Sequence, residues 1–134
     1  SVPAPETADV PLALQLIASI RARALTSDVR AALTQSIKGQ RKEPLYATPP
    51  PEGIPGETDP CIVIEILTEI YGLISGPTGW RKTVLTELKH LDFKAHPQAP
   101  CIVLLDDAHG GNQPLCGVIA IETDDFLGGG IGPK

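Results

Sequence analysis

The stretch CGVIAIETDDFLGGG, residues 116–130, carries the strongest fold signal in this chain. Aliphatic and β-branched residues come first, Thr123-Asp124-Asp125 follows, and three glycines (128–130) close the stretch. β-Branched residues favour strands, and a polar break followed by glycines is typical of a turn. We therefore predict a strand that enters a tight hairpin and carries Asp124 and Asp125 at its tip.

The two neighbouring carboxylates point to a divalent cation. Adjacent ionised carboxylates repel each other, and a divalent cation offsets that repulsion with its own charge. Asp28 stands in a similar context far upstream, after a short apolar stretch. The three aspartates together suggest a metal-dependent polymerase site. A solvated turn is the alternative interpretation of the Asp-Asp pair taken alone, because acidic residues are common in turns.

Composition limits the class of protein. The 134 residues suit one domain, residues 1–134, and the net charge of −5 argues against a nucleic-acid-binding surface unless carboxylates gather around metal ions. The chain has no methionine, so we expect a segment of a longer reading frame. Its three cysteines lack zinc-ligand spacing, and we expect them to be buried, reduced thiols.

Periodicity predicts an α+β order of elements. The helix with the clearest amphipathic pattern covers Trp80 to Leu91, with Trp80 as a core anchor at its start. A helix is expected over 6–23. The stretch 25–33 fits a strand or a helix, and we favour a strand that carries Asp28 and turns into a helical segment. The stretch 38–60 is expected to be a Pro-rich irregular loop with a short strand near 45–48, and further strands are expected within 61–71 and at 101–105 and 117–122, the last two joined by a turn-forming loop at 106–114. No stretch has the length of a membrane span.

Five blocks resemble, in the right order, the reverse transcriptase of copia-type retrotransposons. The most specific is YGLISGPTGW (71–80), which is similar to the family's Tyr-Gly-Leu-Lys-Gln-Ala-Pro-Arg-x-Trp. The others are SDVRAAL (27–33), LYATPPPEG (45–53), LDF (91–93) followed by PCIV (100–103), and the hairpin block IETDDFL (121–127). The resemblance covers residues 6–130.

The resemblance implies a polymerase palm: an antiparallel sheet with helices packed on one face, with partial fingers and no thumb. It implies that Asp28, Asp124 and Asp125 are catalytic and hold Mg²⁺ or Mn²⁺, with the main-chain carbonyl of Val29 as a further ligand. Such a site would transfer a nucleotide to a primer 3′ hydroxyl by the two-metal mechanism. Five residues would lie near the nucleotide and template: Leu33, Tyr71, Gly72, Ser75 and Pro77.

The resemblance also implies the partners. In the full-length protein these are an RNA or DNA template-primer, deoxynucleoside triphosphates, and the other polyprotein domains: fingers, thumb, ribonuclease H and integrase. The expected location is intracellular, in a cytoplasmic virus-like particle or the nucleus, without a membrane. We expect the segment alone to be inactive. This chain has Leu33 where the family usually has an aromatic residue that would exclude a 2′-hydroxyl. It also has Ser75 in place of the family's glutamine and Thr78 in place of its arginine.

Two other functions stay open. Residues 76–83 (GPTGWRKT) resemble a phosphate-binding P-loop, and residues 102–107 resemble the acidic strand that follows it in ATPases. A P-loop needs a glycine before its lysine, and Arg81 occupies that place. The second alternative is a non-catalytic binding or structural module.

Overall fold

The computed structural model describes residues 8–38, 41–106 and 114–132. These residues form two helices, a short 3₁₀ segment at Ala32–Gln35 and two antiparallel sheets. The helices are α1 (Asp9–Ser19) and α2 (Gly76–His90); the strands are β1 (Leu25–Asp28), β2 (Leu45–Ala47), β3 (Ile64–Ile66), β4 (Lys94–His96), β5 (Ala99–Asp106), β6 (Leu115–Glu122) and β7 (Asp125–Gly130). The larger sheet has the order β1-β7-β6-β5-β4, and β2 pairs with β3. The α+β prediction is confirmed.

The predicted hairpin is confirmed as β6 and β7. Glu122 pairs with Asp125, so Thr123 and Asp124 form a two-residue turn. Thr123 has a φ of 47°, the positive value that the first residue of a primed hairpin turn requires. A β-branched residue in this region is strained, because its side chain crowds the backbone.

Helices cover both faces of the larger sheet. Ala120 and its cross-strand partner Leu127 belong to the core beneath α1, whereas Ile121 and Phe126 belong to the core beneath α2. The prediction of helices on one face only is therefore wrong. Successive residues of a strand point to opposite faces, and apolar residues on both faces of β6 require a cover on each side.

Gly129 allows α1 to approach the sheet closely. A Cβ added there would lie 2.8 Å from the main-chain oxygen of Arg23 and 2.8 Å from a side-chain carbon of Ile17. Since real Cβ atoms do not approach other atoms so closely, only glycine fits. Gly129 thus serves helix packing, and the glycine run lies within β7 and not in the hairpin turn.

Several predicted boundaries differ from the structure. The first helix ends at Ser19, earlier than expected, and its predicted start lies partly outside the described residues. Helix α2 begins at Gly76, ahead of the predicted Trp80, because Pro77 suits a first helical turn. The strand expected within 61–71 covers only three residues, whereas the short strand within the Pro-rich loop is confirmed as β2.

Two further expectations have mixed outcomes. The strands on either side of the loop at 106–114 are confirmed as β5 and β6, but residues 107–113 lie outside the described part of the chain. Cys101 is buried and Cys116 half-buried, whereas Cys61 is exposed, so the expectation of buried thiols is wrong for Cys61. Neither helix in the described ranges is long and apolar enough to cross a membrane.

Candidate functional site

Asp28 and Asp125 lie directly opposite each other on neighbouring strands. Asp28 is the last residue of β1, Asp125 is the first of β7, and the two form a cross-strand pair. Asp125 also pairs with Glu122, the last residue of β6. Side chains of directly opposed residues share one face with Cβ atoms about 5 Å apart. The fold therefore aligns three carboxylates, Asp28, Asp125 and Glu122, which we call the acidic row.

The acidic row carries uncompensated negative charge. All three residues are exposed, and none forms a salt bridge within the described residues. Like charges directly opposed across strands destabilise a sheet. Binding a cation at this end of the sheet would therefore relieve a repulsion that the fold itself creates.

Asp124 is held by different contacts in the turn beside the row. The Tyr71 hydroxyl donates a hydrogen bond to Oδ2 of Asp124 at 3.4 Å, and the Val29 N–H donates to its main-chain oxygen at 2.9 Å. Desolvation, followed by the negative charge of Asp124, raises the pKa of Tyr71, and the charge of Asp28 adds to this. Asp28, Asp124 and Tyr71 thus form one electrostatic group. The structure brings the three predicted aspartates to the same end of the sheet.

Trp80 ties α2 to the hairpin turn. Its indole Nε1–H donates a 2.6 Å hydrogen bond to the main-chain oxygen of Thr123. The side chain is 7% exposed within the core beneath α2, so its predicted role as a core anchor is confirmed. The contact joins the most specific block of the resemblance to the turn that carries Asp124.

A buried carboxylate that the sequence reasoning missed anchors the segment before α2. Glu69 is 5% exposed, accepts a hydrogen bond from the Ser75 hydroxyl at 2.8 Å, and lies 3.1 Å from Nη2 of Arg41. Arg41 also donates to the main-chain oxygens of Ile66 and Thr68, both at 2.9 Å. The sequence signal for this site was the position of Glu69 within an apolar run. A carboxylate that is buried with such a run needs a polar partner.

The residues predicted to lie near a nucleotide occupy different environments. Leu33 is 3% exposed in the core beneath α2, where it cannot contact a ligand in this conformation. Tyr71 and Gly72 are exposed, and Gly72 has a φ of 94° that suits glycine. Ser75 is engaged with the buried carboxylate, and Pro77 lies exposed in the first turn of α2.

Two carboxylates of the acidic row could hold a magnesium ion that takes few protein ligands. Within the described ranges, no three carboxylate, thiol or imidazole groups are arranged as a metal centre. Mg²⁺ is commonly bound through only one or two carboxylates, with water and substrate phosphates in its other positions. Asp28 and Asp125, opposed and exposed, provide a set of that size.

The residues compared with a P-loop form a helix. Gly76 and Gly79 both lie within α2, and both are buried. A Cβ at Gly79 would lie 2.6 Å from a side-chain carbon of Glu69, so this glycine is explained by close packing. The geometry therefore lends no support to a loop of amides around a phosphate.

Comparison with known proteins identifies no relative. No family model, curated protein or solved structure matches this chain.

Proposed function

We propose that this chain is a palm-type segment of an RNA-directed DNA polymerase of the copia retrotransposon type. The observation that carries the proposal is the register of β1 against β7. This register places Asp28 opposite Asp125, and Asp125 directly follows Asp124 of the hairpin turn. These aspartates come from the first and last blocks of the resemblance, and nothing local in the sequence requires them to meet.

The candidate metal ligands are the two carboxylates opposed across the strands, Asp28 and Asp125, with Asp124 beside them. Bound divalent cations would supply the charge neutralisation that nucleotidyl transfer needs. Both opposed carboxylates are exposed, so a large substrate can reach them without a conformational change. The expected substrates are a template-primer and deoxynucleoside triphosphates.

The surrounding residues would preorganise this site. Tyr71 donates to Asp124 and orients its carboxylate, and Trp80 fixes the turn through the carbonyl of Thr123. Functional groups held by packed or hydrogen-bonded neighbours keep the geometry that a reaction needs. The net charge of −5 suits a centre whose strand-gripping surfaces lie on other domains of the polyprotein.

Manganese-induced broadening of amide NMR signals tests the proposed metal site. Paramagnetic Mn²⁺ should broaden the amide signals of Asp28, Val29, Asp124 and Asp125 before those of other residues. The double variant Asp28→Asn, Asp125→Asn should lose the effect. Glu65→Gln, which removes an exposed strand carboxylate elsewhere, should retain it.

The polymerase assignment needs a second stage of the same experiment. A primer-template ending in a dideoxynucleotide, added with the complementary nucleoside triphosphate, should strengthen Mn²⁺ binding at these residues, because metal ions bridge protein carboxylates and substrate phosphates. Broadening that ignores duplex and nucleotide would contradict the proposal that these aspartates share metal ions with substrate phosphates. Broadening spread evenly over the acidic surface would contradict the metal site itself.

A further inference from the structure

A groove of about 530 Å³ runs between the N-terminal half of α1 and the ends of β1, β6 and β7. We call it the α1 groove. Its floor follows from strand register: Thr26, Leu127 and Ala120 form one cross-strand row, and the acidic row lies two residues further toward the hairpin turn. A largely apolar floor, with the hydroxyl of Thr26 at one side, therefore adjoins a line of three carboxylates on the same face of the sheet.

Helix α1 forms the wall of the groove with apolar side chains. Val10 and Leu14, one helical turn apart, line it and remain 42% and 45% exposed. The contact of α1 with the sheet uses other residues, Ala13 and Ile17, which are 0% and 2% exposed. The exposed pair therefore contributes little to holding the helix in place, and covering it would remove apolar surface from water.

The charge of the groove selects its occupant. No lysine, arginine or histidine occurs among its described lining residues, whereas the acidic row lies along one end. An anionic ligand would be repelled there. An apolar ligand without charge would leave the carboxylates uncompensated. The complementary partner combines an apolar body with a positive charge beside it.

We propose that the α1 groove docks a basic amphipathic segment of a protein partner. Its apolar side chains pack against Val10, Leu14 and Leu127, and its lysine or arginine groups lie over the acidic row. Recognition of an amphipathic segment by an apolar groove with charged ends is a general mode of peptide binding. A protein segment is favoured because it supplies both features in one continuous surface.

This docking surface does not depend on the polymerase proposal, but the two share Asp28 and Asp125. A partner cation over the acidic row and a divalent cation bound to these aspartates would therefore compete. Peptide binding measured without divalent cations tests the groove alone. The manganese broadening described above, measured without peptide, tests the metal site alone.

The experiment measures binding of a fluorescein-labelled peptide of leucine and lysine with helical periodicity, by anisotropy, at low salt without divalent cations. Leu14→Asp should weaken binding about tenfold, since the loss of apolar contact outweighs the attraction between the added carboxylate and the lysines of the peptide. Leu12→Asp is the matched control, because Leu12 is 43% exposed on the same helix but does not line the groove. Val10→Asp, near the helix N-terminus where acidic residues are tolerated, provides a second variant that should remain folded.

Charge variants complete the test. Glu122→Gln should weaken peptide binding about threefold, as expected for one exposed ion pair, whereas Glu65→Gln should not. Millimolar Mg²⁺ should displace the peptide more effectively than an equal ionic strength of NaCl.

Three results would overturn the proposal. One is equal binding of a peptide with the same composition in scrambled order. Another is equal effects of Leu12→Asp and Leu14→Asp on affinity. The last is self-association of the chain. If Leu14→Asp abolishes that association and the peptide does not compete with it, the groove binds a second copy of this chain.

Discussion

Replacing Arg41 by alanine should destabilise the fold by about 3 kcal/mol. Two hydrogen bonds would be lost, those to the main-chain oxygens of Ile66 and Thr68, and each contributes about 1 kcal/mol net. Glu69, whose side chain is 6% exposed, would lose its counter-charge, at a further cost of about 2 kcal/mol. Ser75 still donates to that carboxylate, and water can reach the site because the arginine side chain is 21% exposed. The expected loss of stability is therefore smaller than the sum of the separate contributions.

Urea unfolding followed by Trp80 fluorescence measures this loss, because Trp80 is the only tryptophan and is buried. Lys42→Ala is the matched control, since Lys42 is the exposed neighbour of Arg41. In a Glu69→Gln background the cost of Arg41→Ala should fall by about 1 kcal/mol, because the charge to be compensated is gone. Equal stability of Arg41→Ala and Lys42→Ala would refute the argument that this ion pair anchors the segment before α2.

Three further outcomes are expected. In a Tyr46→Phe background, which leaves Tyr71 as the only tyrosine, Asp124→Asn should lower the pH at which Tyr71 ionises in an ultraviolet titration; an unchanged curve would exclude their contact. Because the pKa of Tyr71 is raised in the folded state, its contribution to stability is complete below the unfolded pKa of about 10 and is lost as pH rises toward the folded value. Thr123→Gly should stabilise the hairpin by up to about 1 kcal/mol in thermal unfolding, since glycine removes left-handed strain; destabilisation would contradict the positive φ. Gly129→Ala should lower the free energy of unfolding by about 1–3 kcal/mol, because its methyl group would lie 2.8 Å from the Arg23 main-chain oxygen and from the Ile17 side chain; a neutral result would contradict that packing.

Local sequence was sufficient for the hairpin, which the β-branched run of β6 and the polar break at 123–125 decide. The stretch around Asp28 fits a strand or a helix by its sequence, and pairing with β7 decided that it is strand β1. The start of α2 was missed because glycines weaken a helix signal, yet tertiary packing places two of them inside this helix. The second helix-covered face was missed because periodicity shows that a strand is apolar without identifying what covers it.

The candidate site was predictable as a list of residues but not as an arrangement. The resemblance supplied Asp28, Asp124 and Asp125, whereas strand register decided that Asp28 opposes Asp125 and that Glu122 joins them. Arg41 and Glu69 could not be paired from sequence, because a contact between separate loops depends on how both pack.

What the sequence by itself determined is therefore the set of local elements and their charges. A residue's turn, strand or helix preference acts within a few neighbours and can be read along the chain. Only the tertiary structure decided which carboxylates lie side by side, which glycine allows a helix to pack closely on the sheet, and which apolar side chains stay exposed beside the carboxylates. Those outcomes depend on register and packing between distant segments, where a shift of one residue in a strand would exchange its two faces.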